Sequence, residues 1–78
     1  RTWQLPLFDE YQEVLKSDAA DISNIAPFDA GAGTIVAASF LSKFTSKFHW
    51  AHIDIANVAC QFSGPKRNAT GRPVSLLV

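Results

Sequence analysis

A chain of 78 residues, 47% apolar and 18% charged, is one domain at most, and at that size folding hides only about 60% of the unfolded chain's surface. Its seven basic and seven acidic residues cancel without clustering, which leaves no basis for electrostatic capture of nucleic acid or of an anionic membrane. The single cysteine, Cys60, excludes an internal disulfide, and His49 and His52 have no thiols to join in a structural zinc site.

The apolar content, with two Trp, one Tyr and six Phe, is that of the interior-rich part of a folded protein rather than a disordered tail. No run of about 18 apolar residues offers a membrane span, and no charged leader precedes an apolar segment, so a cytoplasmic location is expected. In that setting Cys60 reads as a reduced thiol rather than a nucleophile.

In chain order, Trp3-Gln4-Leu5-Pro6-Leu7 alternates in character, and Pro6 cannot donate to a ladder, which predicts a short extended segment at a strand edge. Asp9 is placed to cap a helix over Glu10 to Lys16, where Tyr11, Val14 and Leu15 make one apolar face and Glu10, Gln12, Glu13 and Lys16 turn mostly outward. Glu10 and Glu13 near its start and Lys16 near its end suit the helix dipole.

The alternation of Ala20 to Ile25 predicts a short strand, closed by a loop from Ala26 to Gly33. Gly31-Ala32-Gly33 lacks the longer glycine pattern and the lysine of a phosphate loop, so it is read as a tight helix entrance against neighbouring backbone. From Thr34 to about Lys47 the pattern is helical, with Ser39, Lys43, Ser46 and Lys47 as a polar stripe. Its first half is apolar nearly all round, a helix to be buried from more than one side.

Trp50 to Ala56 alternates with period two, setting Trp50, His52, Asp54 and Ala56 on one face and Ala51, Ile53 and Ile55 on the other, and this predicts a buried strand. Asn57 to Gly71 reads as a loop. Thr70-Gly71-Arg72-Pro73 reads as a helix entrance, Thr70 capping and Pro73 in the first turn. Together these elements predict an α/β fold, helices packed on a mixed sheet. The first residue is Arg1 and the chain stops at Leu76-Leu77-Val78 inside an apolar pattern, so a fragment of something longer is expected.

Chemistry is sparse. His52 and Asp54 share a strand face, about 6.6 to 7 Å apart, but no further ligand stands at a telling spacing, so both are read as buried, hydrogen-bonded polar groups. Asp18, Asp21 and Asp29 have nothing to fix them as a cation site. Ser39 is not in a nucleophile elbow. Asn68-Ala69-Thr70 matches a glycosylation acceptor only formally.

Taken together, Trp3 to Leu7, Asp9 to Tyr11, Leu15 to Ser17, Ala20-Asp21 with Asn24-Ile25, Ala38 with Phe40-Leu41 and Phe44, Trp50 to Ala56 and Ala69 to Val74 resemble the leucyl (cytosol) aminopeptidase family in order and spacing. The resemblance implies that residues 1–78 are a C-terminal segment of the peptidase catalytic domain, with an N-terminal domain and the metal-binding part lying upstream. It implies an exopeptidase, leucine-preferring, that uses two divalent metals (zinc, manganese or magnesium) on a peptide substrate in a cytoplasmic homo-hexamer.

The family's metal-binding and catalytic block, Asn-Thr-Asp-Ala-Glu-Gly-Arg, has no counterpart in this sequence. No catalytic and no metal-binding residue is therefore assigned, and the chain alone is expected to be inactive. What the resemblance does carry over is part of the pocket for the substrate's N-terminal side chain, at Ala56, Asn57 and Ala59. Small apolar groups suit a leucine pocket, which needs room and no unpaired polar atom.

Two positions depart from the family pattern: Asn57 and Asn68 stand where glycine is usual. Asparagine accepts a left-handed backbone better than most residues, so both turns are expected to persist, with Asn57 adding a polar group near the pocket. The alternative is a catalytically inactive relative serving as a structural or assembly module. A free-standing binding domain of unrelated ancestry is the third reading.

Overall fold

The longest regular element, a ten-residue helix, organises the chain, and the computed structural model describes residues 1–27, 29–61 and 67–78. In order the elements are α1 (Glu10–Glu13), α2 (Gly33–Ser42), β1 (Cys60–Gln61), β2 (Asn68–Ala69) and α3 (Val74–Leu77).

Helix α2 begins one residue before the position expected and ends five residues early. Hydroxyls take the carbonyls at its end: Ser42 Oγ donates to the Ser39 carbonyl at 2.7 Å and Thr45 Oγ1 to that of Ser42 at 3.1 Å. The chain then runs on in tighter turns, Phe44 N–H to the Leu41 carbonyl and Phe48 N–H to that of Thr45.

The entrance to α2 is left-handed at two successive residues, Gly31 with φ 64° and Ala32 with φ 48° and ψ 39°. A Cβ at Gly31 or Gly33 would meet nothing within 4 Å, so conformation at Gly31, not close approach of backbone, is what glycine supplies here.

The short α1 packs on α2. Leu15, just past α1, is 2% exposed and lines a shared hollow with the buried Val36, while Tyr11 and Val14 are half-buried, as the apolar face predicts. Gln12 faces inward rather than outward and donates Nε2 to the Ser39 carbonyl at 3.3 Å. Ser39 is fully buried, not part of an exposed stripe, because α1 covers it. Its hydroxyl and Gln12 Oε1 find no hydrogen-bond partner among the described residues.

Asp9 does not cap α1. It is itself helical, with φ −61° and ψ −28°, and the first N–H groups are taken instead by tight turns, Tyr11 to Phe8 and Gln12 to Asp9. Lys16 pairs with Glu13 on the surface, an exposed contact of small energetic value.

Three expected strands do not form. Residues 20–25 bend instead, because Ser17 Oγ accepts from Ala19 and Ala20 N–H, and Ser23 Oγ both donates to the Ile25 carbonyl and accepts its N–H. Residues 3–7 and 50–56 carry no ladder, since among the described residues no neighbouring strand lies beside either.

The sheet that does form is antiparallel and two-stranded, pairing Cys60 with Ala69 and Gln61 with Asn68 inside the stretch read as loop. Among the described residues the fold is helices with one two-stranded antiparallel sheet, consistent with a fragment of an α/β fold, and the larger mixed sheet expected from sequence is not formed by them.

Thr70 N–H donates to the Ala59 carbonyl at 2.8 Å, and its hydroxyl donates to the Val58 carbonyl while accepting Arg72 N–H at 3.3 Å. It pins the hairpin to the turn before α3 rather than capping that helix, whose cap position is Pro73. Gly71, at φ 75°, makes the turn.

The chain does not close on itself. Its radius of gyration is 15.3 Å, whereas a self-contained domain of this length has about 11.5 Å. It exposes 7021 Å², against roughly 4,650 Å² for a compact monomer of 8.5 kDa. Trp3, Ile25, Phe44 and Phe48 all stand largely in the open.

Candidate functional site

The approach of α2 to residues 50–58 starts with local chemistry at Asp54. One carboxylate oxygen, Oδ1, accepts Ala56 N–H at 2.9 Å, a side-chain turn that stops the extended run. The other, Oδ2, accepts Thr34 Oγ1 at 2.6 Å, tying the run to the first turn of α2.

The Thr34 hydroxyl, and then the Ala56 N–H, hold the Asp54 carboxyl below its ordinary value of 3.8, with a smaller contribution from His52. Asp54 is exposed and His52 half-buried, so neither is the buried sheet group expected from sequence. The His52 ring lies 6.0 Å from that of Trp50, tilted by 39°, as two residues on one side of an extended chain should.

Beyond Asp54 the chain turns: Val58 and Ala59 N–H both donate to the Ile55 carbonyl, at 3.0 and 2.9 Å. This turn presents Ala56 and Asn57 to a cleft of about 640 Å³. The rest of its lining comes from the segment Arg1 to Leu7, the α2 residues Thr34, Ile35 and Ala38, the run Trp50 to Ile55 with Val58, and Pro73 with Leu76. A volume of this order accommodates a small ligand.

Of the three sequence-derived pocket residues, Ala56 and Asn57 lie together on this wall. Ala59 is half-buried and borders neither this cleft nor a smaller one of about 360 Å³ beside the hairpin, which Asn57 also lines with Cys60, Thr70 and Arg72.

The left-handed turns expected at Asn57 and Asn68 are absent. Among the described residues Ala32 is the sole non-glycine with positive φ, so nothing about backbone handedness calls for glycine at either asparagine. Asn68 instead sits in β2, opposite Gln61.

Thr34 is not among the residues that the sequence singles out as functional. Its only signal is a hydroxyl at a helix start, and nothing local shows that its partner lies 20 residues on.

Among the described residues no three His, Cys, Asp or Glu side chains gather as a metal site. The two divalent metals that the family resemblance implies therefore find no donor set here, and no step is derived through them. Cys60 is exposed and free, and no described helix is long and apolar enough to cross a membrane.

Comparison with known proteins gives a consistent picture. A family model described as the cytosol aminopeptidase family, catalytic domain, matches residues 1–78. A probable cytosol aminopeptidase of Stutzerimonas stutzeri is 61% identical over 77 residues, covering 99% of this chain and 15% of that protein. Proteins of the same description from Acidithiobacillus ferrooxidans and Nitrosospira multiformis are each 60% identical, over 100% and 99% of this chain and 15% and 14% of their own lengths. The chain thus spans about one seventh of the length of the curated relatives it matches.

Proposed function

The chain belongs to the cytosol aminopeptidase family, and from that premise we propose that it is a C-terminal segment of the catalytic domain of an exopeptidase that releases N-terminal residues, leucine preferred, from peptides. The observation that carries the proposal is the cleft walled by Ala56 and Asn57, roomy enough for an amino-acid side chain.

In this reading the segment supplies scaffold and part of the side-chain pocket. The catalytic groups and two divalent ions (zinc, manganese or magnesium) are held by other parts of the longer protein, where they activate water. The open shape is in keeping with that division: apolar side chains such as Trp3, Phe44 and Phe48 need cover that the 78 residues do not provide. Residues 3–7 and 50–56 then join a larger sheet in the longer protein, a cytoplasmic homo-hexamer.

Ala56 contacts the substrate side chain in this reading, and Asn57, one residue on, brings a polar group to the same wall. Its amide tempers the preference for leucine, since an unpaired polar atom beside a buried aliphatic group is costly. Ala59 closes the turn through its N–H, which bonds the Ile55 carbonyl at 2.9 Å.

The test is hydrolysis of leucine p-nitroanilide with added manganese, by the longer protein and by the isolated 78 residues. Turnover by the former alone is expected. Turnover by the isolated chain refutes the division of labour, and inactivity of the longer protein favours the inactive, structural relative.

A further inference from the structure

Both oxygens of the Asp54 carboxylate are engaged, one by each of two parts of the cleft lining. Oδ1 holds Ala56 N–H at 2.9 Å and so shapes the turn that carries Ala56 and Asn57. Oδ2 holds the Thr34 hydroxyl at 2.6 Å on the first turn of α2. Thr34 and Ala38 of α2 line the same cleft as Ala56 and Asn57, so this carboxylate ties two adjoining parts of its lining together.

The placement is also electrostatically favourable. The cap residue of α2, Ala32, has no side-chain acceptor, and Asp54 brings a negative charge to the helix's positive end from outside. The wall is therefore referenced to the helix that carries Val36, Ala38 and Ser39, three of the four buried residues described.

We propose that Thr34 and Asp54 are positioning residues, whose hydrogen bond sets the spacing between α2 and the Ala56–Asn57 wall and thereby the size of substrate side chain the cleft accepts. This rests on the reading of the cleft as the pocket for a substrate's N-terminal side chain. Both residues also border the cleft, and their proposed role is to hold the Ala56–Asn57 wall in place. Because the carboxylate is exposed, water can replace the lost hydrogen bond, so selectivity is affected more than folding.

The test uses the complete protein carrying this chain, with kcat and KM measured separately for alanine, leucine and phenylalanine p-nitroanilides. Thr34→Val keeps the shape and removes the donor, and Thr34→Ser keeps the donor. The proposal expects Thr34→Val to change the leucine-to-alanine ratio of kcat/KM by about tenfold, chiefly through KM, the scale of one misfitted methylene. Thr34→Ser should restore the native ratio.

Asp54→Asn, with one acceptor oxygen left for two donors, should move the ratio in the same direction and gives a second handle if Thr34→Val folds poorly. An active protein whose ratio is unmoved in Thr34→Val and Asp54→Asn, or moved equally in Thr34→Ser, overturns the positioning role alone. A complete protein that releases none of the three amino acids overturns the pocket reading and this proposal with it.

Discussion

Replacing Ala32 by glycine should strengthen the start of α2. Ala32 holds φ 48° and ψ 39°, a left-handed conformation that costs an L-residue about 1–2 kcal/mol. Glycine removes that cost but gives the unfolded chain about 0.5–1 kcal/mol more conformational freedom. Ala32 is exposed, so little buried surface is lost, and the net gain is about 0.5–1 kcal/mol.

The Val36 N–H, bonded to the carbonyl of residue 32 itself at 3.0 Å, reports on this turn directly. Amide hydrogen exchange of the complete protein should slow at Val36 by about two- to fivefold in Ala32→Gly. The reverse exchange one residue earlier, Gly31→Ala at φ 64°, should speed it. Unchanged or faster exchange in Ala32→Gly would refute the assignment of strain to this cap.

Other substitutions probe the packing and the charge. Leu15→Ala, at a side chain 2% exposed against α2, should cost about 2–4 kcal/mol, read as a lower urea midpoint, and a cost below about 1 kcal/mol would show that the α1–α2 contact is not a core. Ser39→Ala removes a buried hydroxyl with no described partner and should be neutral or stabilising by about 1 kcal/mol in the same assay, whereas a clear loss would reveal a bonded hydroxyl. The Asp54 carboxyl, held below 3.8, lends its stabilisation fully above that pH and loses it as pH falls through the lower folded-state value. A carbon-detected NMR titration of Asp54 should show a midpoint under 3.8, and Thr34→Val should raise it. A midpoint at or above 3.8 in the unsubstituted protein would contradict the hydrogen bonding described.

The sequence was most readable where local chemistry decides. The start of α2 within a residue of Thr34, the apolar face of Tyr11, Val14 and Leu15, and a last helix close to Pro73, which caps it rather than lying in its first turn, follow from turn residues and helical spacing. The period-two runs at residues 3–7 and 50–56 were read as an extended strand-edge segment and a buried strand, and neither pairs as a strand. A strand exists only beside another, and no described segment pairs with either.

Elsewhere tertiary contacts overrode the pattern. Ser39 sits at the spacing of an outward stripe, yet α1 lies over it. The stretch 20–25 alternates like a strand, yet the hydroxyls of Ser17 and Ser23 take its backbone groups and bend it. Left-handed backbone was expected at Asn57 and Asn68 and occurs at Ala32, a residue with no signal of its own.

Ala56 and Asn57 were singled out and share a cleft wall, while the bond from Thr34 to Asp54 spans 20 residues and leaves no trace in either neighbourhood.

The most direct measurement is the substrate preference of the complete protein with Ala56→Phe. A phenyl ring on the cleft wall beside Asn57 should fill much of the space for a leucine side chain. The leucine p-nitroanilide kcat/KM is expected to fall by at least about tenfold while that for alanine changes little. Equal rates for leucine before and after the substitution would place the side-chain pocket somewhere other than the Ala56–Asn57 wall.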